Sequence, residues 1–457
     1  MVQNNSAVDL AIYASFASAG SFEAYESLDG DKAYRDEQKA LFLSYKIENP
    51  RLDYPLITRE NIESKANALK AIDTSDLPEV YREAYTVKII EKLNELSLLD
   101  AVLDGDMNLF EAFNADVNGI PDTDIYFYTL SEIRKDAEAN ISVDGDIGIA
   151  AKKLLEILPQ AGNHAFNISL PSKEVVAWTK EQFMKQFKSL FHGIIIDSKS
   201  KYNAPEIKEF FEKALNNVGA SGEFKIEITE SSKTAISVSQ EKKTVNIPAS
   251  REVTGEKLEK LIGHEIGTHV QRRENGEGSN LKLLGLGLSG YLQGEEGLTT
   301  VWEQSYDGKV KDFGRPEAYL SIGAALGLDG VERDFRQVFN ILKTLYQYEA
   351  TKKGKSLSES EEKANNDAWN RCIRTFRGTD CSAGNAFTKD ICYRDGNIRI
   401  WQYMTKMYEL GQDLPNLFIG KYDPTNMDHM KVINEITNIV PKAKYDFFAD
   451  CDGEEEE

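Results

Sequence analysis

The stretch Leu261-Ile262-Gly263-His264-Glu265-Ile266-Gly267-Thr268-His269 decides how this chain is read. Two histidines bracket a glutamate, and an acidic pair follows in Gly294-Glu295-Glu296-Gly297-Leu298. Two imidazoles and one carboxylate suit a zinc ion and leave a position open for water. Glu265, beside the first histidine, is then placed to take a proton from that water. This donor set is that of a hydrolytic zinc centre with one ion.

The spacing is unusual. His264 and His269 are five residues apart, whereas the familiar pattern places its histidines four apart on one helical face. In a regular α-helix five steps turn the side chain by about 140°. Both rings reach one ion only if the turn between them widens, as a π-bulge does. The spacing therefore predicts a widened turn, and Gly267 inside it lowers the cost of distortion. The flanks read as helix. Thr254 is the N-cap, Glu256 sits in the first turn, and Leu258, Leu261, Ile262 and Ile266 keep helical apolar spacing. Arg272 and Arg273 suit the C-terminal end, and Asn275-Gly276 reads as the stop. A second helix starts near Gly294. From it Glu296 is chosen as the third ligand, with Glu295 the alternative.

Only five histidines occur in the chain, and two of them share this helix. His164, His192 and His429 have no comparable company and read as ordinary surface or core residues. With 41% hydrophobic and 28% charged residues, the chain fits a soluble globular protein with a substantial core. A net charge of −21 argues against nucleic-acid and anionic-membrane partners. It also requires a local basic patch wherever an anionic group is received. Such a patch is read between residues 371 and 399, where Arg371, Arg374, Arg377, Lys389, Arg394 and Arg399 outnumber Asp380, Asp390 and Asp395. The four cysteines form no Cys-x-x-Cys pair, so neither a zinc knuckle nor a disulfide framework is expected. With no signal segment and no apolar run long enough for a bilayer, the expectation is cytoplasmic.

Residues 1–59 read as an accessory segment, with weak helical character over 7–24. Residues 80–99 form a stronger helix, and 140–160 and 173–218 are mainly helical. Alternation at period two then marks strands at 224–229, 234–239 and 244–247, with 240–243 as a turn. Val238 and Ser239 are the expected edge to which a peptide strand adds. Helices are expected again over 318–328 and 335–350. Residues 281–290 are taken for a glycine-rich flexible loop, and 352–366 for an exposed charged loop. Residues 441–457 read as an acidic tail. The fold class is α+β, mostly helical, with a small sheet ahead of the metal-binding helix.

Beyond the metal motif stand Arg272, the run Arg374-Thr375-Phe376-Arg377-Gly378, then Phe387-Thr388-Lys389-Asp390, Tyr393 and Asp395-Gly396. Together with the paired motifs above, these make the chain resemble the microtubule-associated tyrosine carboxypeptidase family. That family includes bacterial relatives described as flavohemoglobin expression-modulating proteins with a QEGLA motif. Thr299 stands where the family usually has alanine. The resemblance covers roughly residues 60–440, so these are expected to form the peptidase domain. It implies a gluzincin-like zincin core, a zinc metallocarboxypeptidase acting on a peptide or protein C-terminus, zinc ligation by His264, His269 and Glu296, and catalysis by Glu265. For the terminal carboxylate the candidates are Arg272, Arg377 and Lys389, and for an oxyanion donor Tyr393. Two other readings use the same residues: a metal-binding regulatory protein without turnover, and an endopeptidase on the same core.

Overall fold

Strands form where the alternation predicts them, at 225–229, 237–239 and 244–248. A computed structural model describes residues 2–20, 22–160, 164, 166–230, 235–240 and 242–437. The expected acidic tail, Thr234 and Glu241 lie outside the described residues. β1 is Lys201–Asn203, β2 Lys225–Thr229, β3 Ser237–Ser239, β4 Thr244–Pro248 and β5 Glu252–Thr254. The main sheet has the order β2-β4-β3, with β4 parallel to β2 and antiparallel to β3. Val245 and Ile247, two residues apart on one face of the central strand, are fully buried in the main core. β3 is an edge strand and packs near the histidine-bearing helix. β1 and β5 make a separate antiparallel pair that the sequence does not announce, because three residues each are too few to display a period. The rest of the described structure is dominated by helices, giving a mostly helical α+β architecture.

The histidine-bearing helix runs without a break from Gly255–Leu261 through a π-helical stretch, Ile262–Val270, into Gln271–Gly278. The widened turn demanded by the five-residue spacing is present. Thr254 caps the start by accepting from Lys257 N at 3.4 Å. Thr268 Oγ1 donates to Gly263 O at 3.0 Å and Trp302 Nε1 to Lys260 O at 3.0 Å, so side chains serve carbonyls beside the wide turn. Gly267 has a role beyond lowering distortion. A Cβ there would sit 2.7 Å from Leu190 Cδ2 and 2.8 Å from Phe187 Cε1, so the helix needs glycine to seat on those side chains. The helix ends at Gly278 rather than at Asn275-Gly276.

Residues 281–290 are not a loose loop. Leu283–Leu286 is a short helix, and Leu281, Leu283, Leu284 and Leu288 are buried with Phe16, Tyr85 and Tyr422 in a second core. Nor is the charged stretch after Lys352 a loop. Ser356 forms a capping box with Glu359 and opens the helix Leu357–Thr375. Ser360 and Ala364, then Ala368, Trp369, Cys372 and Ile373, give that helix its buried face. Over the stretch read as a loop only small residues carry that face, so the apolar period is weak there and the charges dominate the reading.

Two helices position the site. Leu292–Tyr306 lies beside the π-helical stretch, and Ile391–Glu409 packs along it. Gly297 and Gly396 let their backbones touch: a Cβ on Gly297 would lie 2.5 Å from Gly396 O. The N-terminal residues join the same body. Val2–Gly20 packs on Arg59–Lys70 and Glu79–Asp104, and Phe42 enters the main core. No helix among the described residues is long and apolar enough to cross a membrane.

Candidate metal centre

The widened turn brings the two imidazoles together, with ring centroids 5.2 Å apart. Glu296, from the first turns of the neighbouring helix, completes a trio. Ligating atoms of His264, His269 and Glu296 all lie within 4.8 Å of one another. The hydrogen bonds behind the rings decide which atoms face the centre. His264 Nδ1 is 2.8 Å from Glu303 Oε1, and His269 Nδ1 is 2.8 Å from Glu295 Oε1. An ionised carboxylate only accepts, so each Nδ1 carries a proton and each Nε2 offers its lone pair. The Glu296 carboxylate makes no hydrogen bond or ion pair among the described residues and is likewise available. Two imidazole nitrogens and a carboxylate fit a zinc ion.

The choice between the acidic pair has a geometric basis. Glu295 is buried and accepts from Arg272 at 2.6 Å, with Lys421 Nζ 3.2 Å away. Burial works against its charge, but Lys421, Arg272 and His269 outweigh it and hold the carboxyl far below the usual range. Glu295 thus orients a histidine, and Glu296, one residue on, faces the centre. Glu303 escaped the sequence reading. It lies seven residues after Glu296 on one helix, and so on the same face, a spacing that was there to be used.

Glu265 is buried between these groups, and its carboxylate makes no hydrogen bond among the described residues. Burial pushes its pKa up, partly offset by His264 and His269. Burial also opposes charge on His264, yet Glu265 and Glu303 raise its pKa to about 9, so a cation bound at Nε2 must displace a proton from it. Tyr393 stands on the neighbouring helix. The charge of Glu296, then burial, pushes its hydroxyl pKa well up, so it remains a donor at neutral pH. The guanidinium of Arg315, an exposed residue with left-handed backbone (φ 58°, ψ 44°), is 5.5 Å from the Tyr393 ring.

The three candidate cations separate. Arg272 is fully buried. It donates Nε to Gly420 O at 2.7 Å, NH1 to Glu295 and NH2 to Tyr422 O. With all three nitrogens engaged inside the protein, it supports Glu295 and is not a carboxylate receptor. Arg377 is also turned inward: NH1 donates to Tyr25 O at 3.3 Å and NH2 lies 3.1 Å from Asp29 Oδ1. It ties down the N-terminal segment. Lys389 differs, since its ammonium makes no hydrogen bond or ion pair among the described residues and rests 4.4 Å from the Tyr25 ring. The basic patch between 371 and 399 is mostly interior pairing. Arg371 and Arg374 grip Asp390 at 2.7 and 2.6 Å, and Arg394 donates to Phe313 O and pairs with Glu132. Of the remaining histidines, His429 is a satisfied interior residue: Nδ1 accepts from Asp423 N and Nε2 faces Ser289 O. His164 stacks on Phe127.

A family model described as microtubule-associated tyrosine carboxypeptidase matches residues 174–352 and 354–453. The match takes in the π-helical stretch, the Glu295-Glu296 pair and the Arg374–Gly378 run, and begins well after the residue 60 suggested by the motifs. No curated protein matches the chain. With most of its length covered, including every residue of the metal centre, the chain belongs to the microtubule-associated tyrosine carboxypeptidase family.

Proposed function

We propose that this protein is a zinc-dependent carboxypeptidase with a zincin-type centre, hydrolysing the last bond of a peptide or protein. The observation that carries the reading is the convergence of His264, His269 and Glu296 beside the unpaired carboxylate of Glu265. The family's name supplies the carboxypeptidase class. When bound, zinc supplies a Lewis acid that polarises the scissile carbonyl and lowers the pKa of water.

The chain's own residues account for the rest. His264 and His269 present Nε2 because Glu303 and Glu295 hold their Nδ1 protons. Glu265 takes a proton from the attacking water and returns it to the departing amine. Its raised pKa brings it closer to the working range of a general acid–base group. Tyr393 donates its hydroxyl proton to the oxygen on which charge develops. Lys389 receives the terminal carboxylate, since its ammonium has no anion of its own. β3, the edge of the sheet beside the metal helix, offers backbone groups to an extended substrate, through Val238 and Ser239.

The test is Glu265→Gln with zinc loaded. The variant is expected to bind zinc as the wild type does and to lose hydrolysis by at least about a hundredfold. Undiminished hydrolysis would remove Glu265 as base. Mass spectrometry of paired peptides with free and amidated C-termini checks the exopeptidase assignment. Equal cleavage of both makes the chain an endopeptidase.

A further inference from the structure

Lys389 sits in the short turn Thr388–Asp390 at the start of the Tyr393 helix. Its half-buried ammonium makes no ion pair among the described residues, because the nearby Asp390 carboxylate is gripped by Arg371 and Arg374. The ammonium's neighbour is instead the face of Tyr25, from the short helix Ala24–Ser27. This segment lies outside the family match, which begins at residue 174. It is firmly placed. Lys92 Nζ donates to Phe22 O at 2.6 Å and Ala24 N to Glu95 Oε2 at 2.8 Å. Arg377 holds Tyr25 O and Asp29, and Gly378 N donates to Tyr54 Oη at 2.7 Å. Phe387, two residues before Lys389, shares an apolar cluster with Ala24, Leu28 and Tyr54.

We propose that Tyr25 is a positioning residue for the terminal-carboxylate subsite: its ring holds the Lys389 ammonium in place, and Arg377 acts through Tyr25. This rests on the reading of Lys389 given above. The physical advantage lies in what a ring lacks. A carboxylate partner would occupy the ammonium's donors and compete with the substrate. The negative face of an aromatic ring attracts the cation yet leaves its N–H groups free for a carboxylate. Burial raises the Tyr25 hydroxyl to a pKa of about 12, so it stays neutral and does not become such a competitor. A chain segment outside the matched region thereby sets the affinity for a C-terminus.

The experiment uses the full, zinc-loaded chain and a peptide pair differing only in a free or amidated C-terminus. Tyr25→Leu keeps bulk and removes the ring. It is expected to raise KM for the free-acid peptide about five- to tenfold with kcat within about twofold, and to narrow the preference for the free acid. Tyr25→Phe keeps the ring and is expected to behave as wild type. In a Lys389→Met background, Tyr25→Leu is expected to add no further effect. The proposal is overturned if Tyr25→Leu changes neither KM nor the preference. It is overturned equally if Phe is as harmful as Leu, or if the effect persists without Lys389. A wild-type chain that cleaves neither peptide overturns the carboxypeptidase reading and this subsite together. That result is distinct from an active enzyme indifferent to Tyr25.

Discussion

The two carboxylates behind the histidines look equivalent but are coupled to different surroundings. Glu303 is partly exposed and its principal partner is His264. Glu303→Ala is therefore expected to weaken zinc binding by about 10–100-fold with little loss of fold stability, read by competition with a chelator. Glu295 also compensates Arg272 and Lys421, both buried. Glu295→Ala is expected to leave two buried cations unpaired and to destabilise the fold by about 3–5 kcal/mol, read from the urea midpoint. Asp395 gives a pH signature. Burial, opposed by Tyr319 and Arg399, raises its pKa to about 7, and Oδ1 has no hydrogen-bond partner. The folded chain thus favours the protonated form more than the unfolded chain does. The corresponding stability is present in full below about pH 4 and is lost as pH rises through 7. Asp395→Asn stays neutral throughout. Its stability relative to wild type is expected to rise by about 2–4 kcal/mol between pH 4 and pH 8, measured by denaturation at each pH.

Between helices, the decisive contact is backbone on backbone. A Cβ on Gly396 would collide with Gln293 O, so the Leu292–Tyr306 and Ile391–Glu409 helices must separate to admit even alanine. Gly396→Ala is expected to cost about 1–3 kcal/mol or more and to move Tyr393 away from Glu296. Gly278→Ala, where nothing lies within 4 Å, is the control and is expected to be near neutral in the same melt. Elements of this kind also mark how far the sequence could be read. The π-turn was legible because five-residue spacing and a shared ion are incompatible with a regular helix. The strands of the main sheet were legible from their period. The start of the helix at Leu357 was not, since up to residue 366 its buried positions are Ser360 and Ala364 beneath a run of charge. In the site, His264, His269, Glu265 and the acidic pair follow from local spacing. Lys421 and Tyr25 do not, because only the folded chain brings residues so distant in sequence beside the motif. The same holds for Arg272 and Arg377: their charge could be read, but not the partners that consume it.

Across the whole molecule, residues before 60 act as structure, which the accessory role read from sequence does not convey. Arg336 donates to the carbonyls of Phe42, Ile47 and Glu48, and its guanidinium lies over the Phe42 ring. Phe42 in turn meets Phe335, Phe339 and Trp369 with ring centroids 4.9–5.5 Å apart. Phe16 packs edge-on to Tyr85, and Asp9 accepts from Tyr85 and from Lys282 N. Removing residues 1–59 would open the main core at Phe42, strip the second core of Phe16 and leave Arg336 buried without acceptors. Losing the Phe42 ring alone is worth about 3–5 kcal/mol, a large fraction of the roughly 5–15 kcal/mol that holds a domain folded. A chain starting at residue 60 is therefore expected to lack the cooperative thermal transition of the full protein, although it retains every residue of the metal centre. Calorimetry of the two forms decides the matter. A truncated chain with an unchanged transition would show that these helices are appended to the fold rather than part of it.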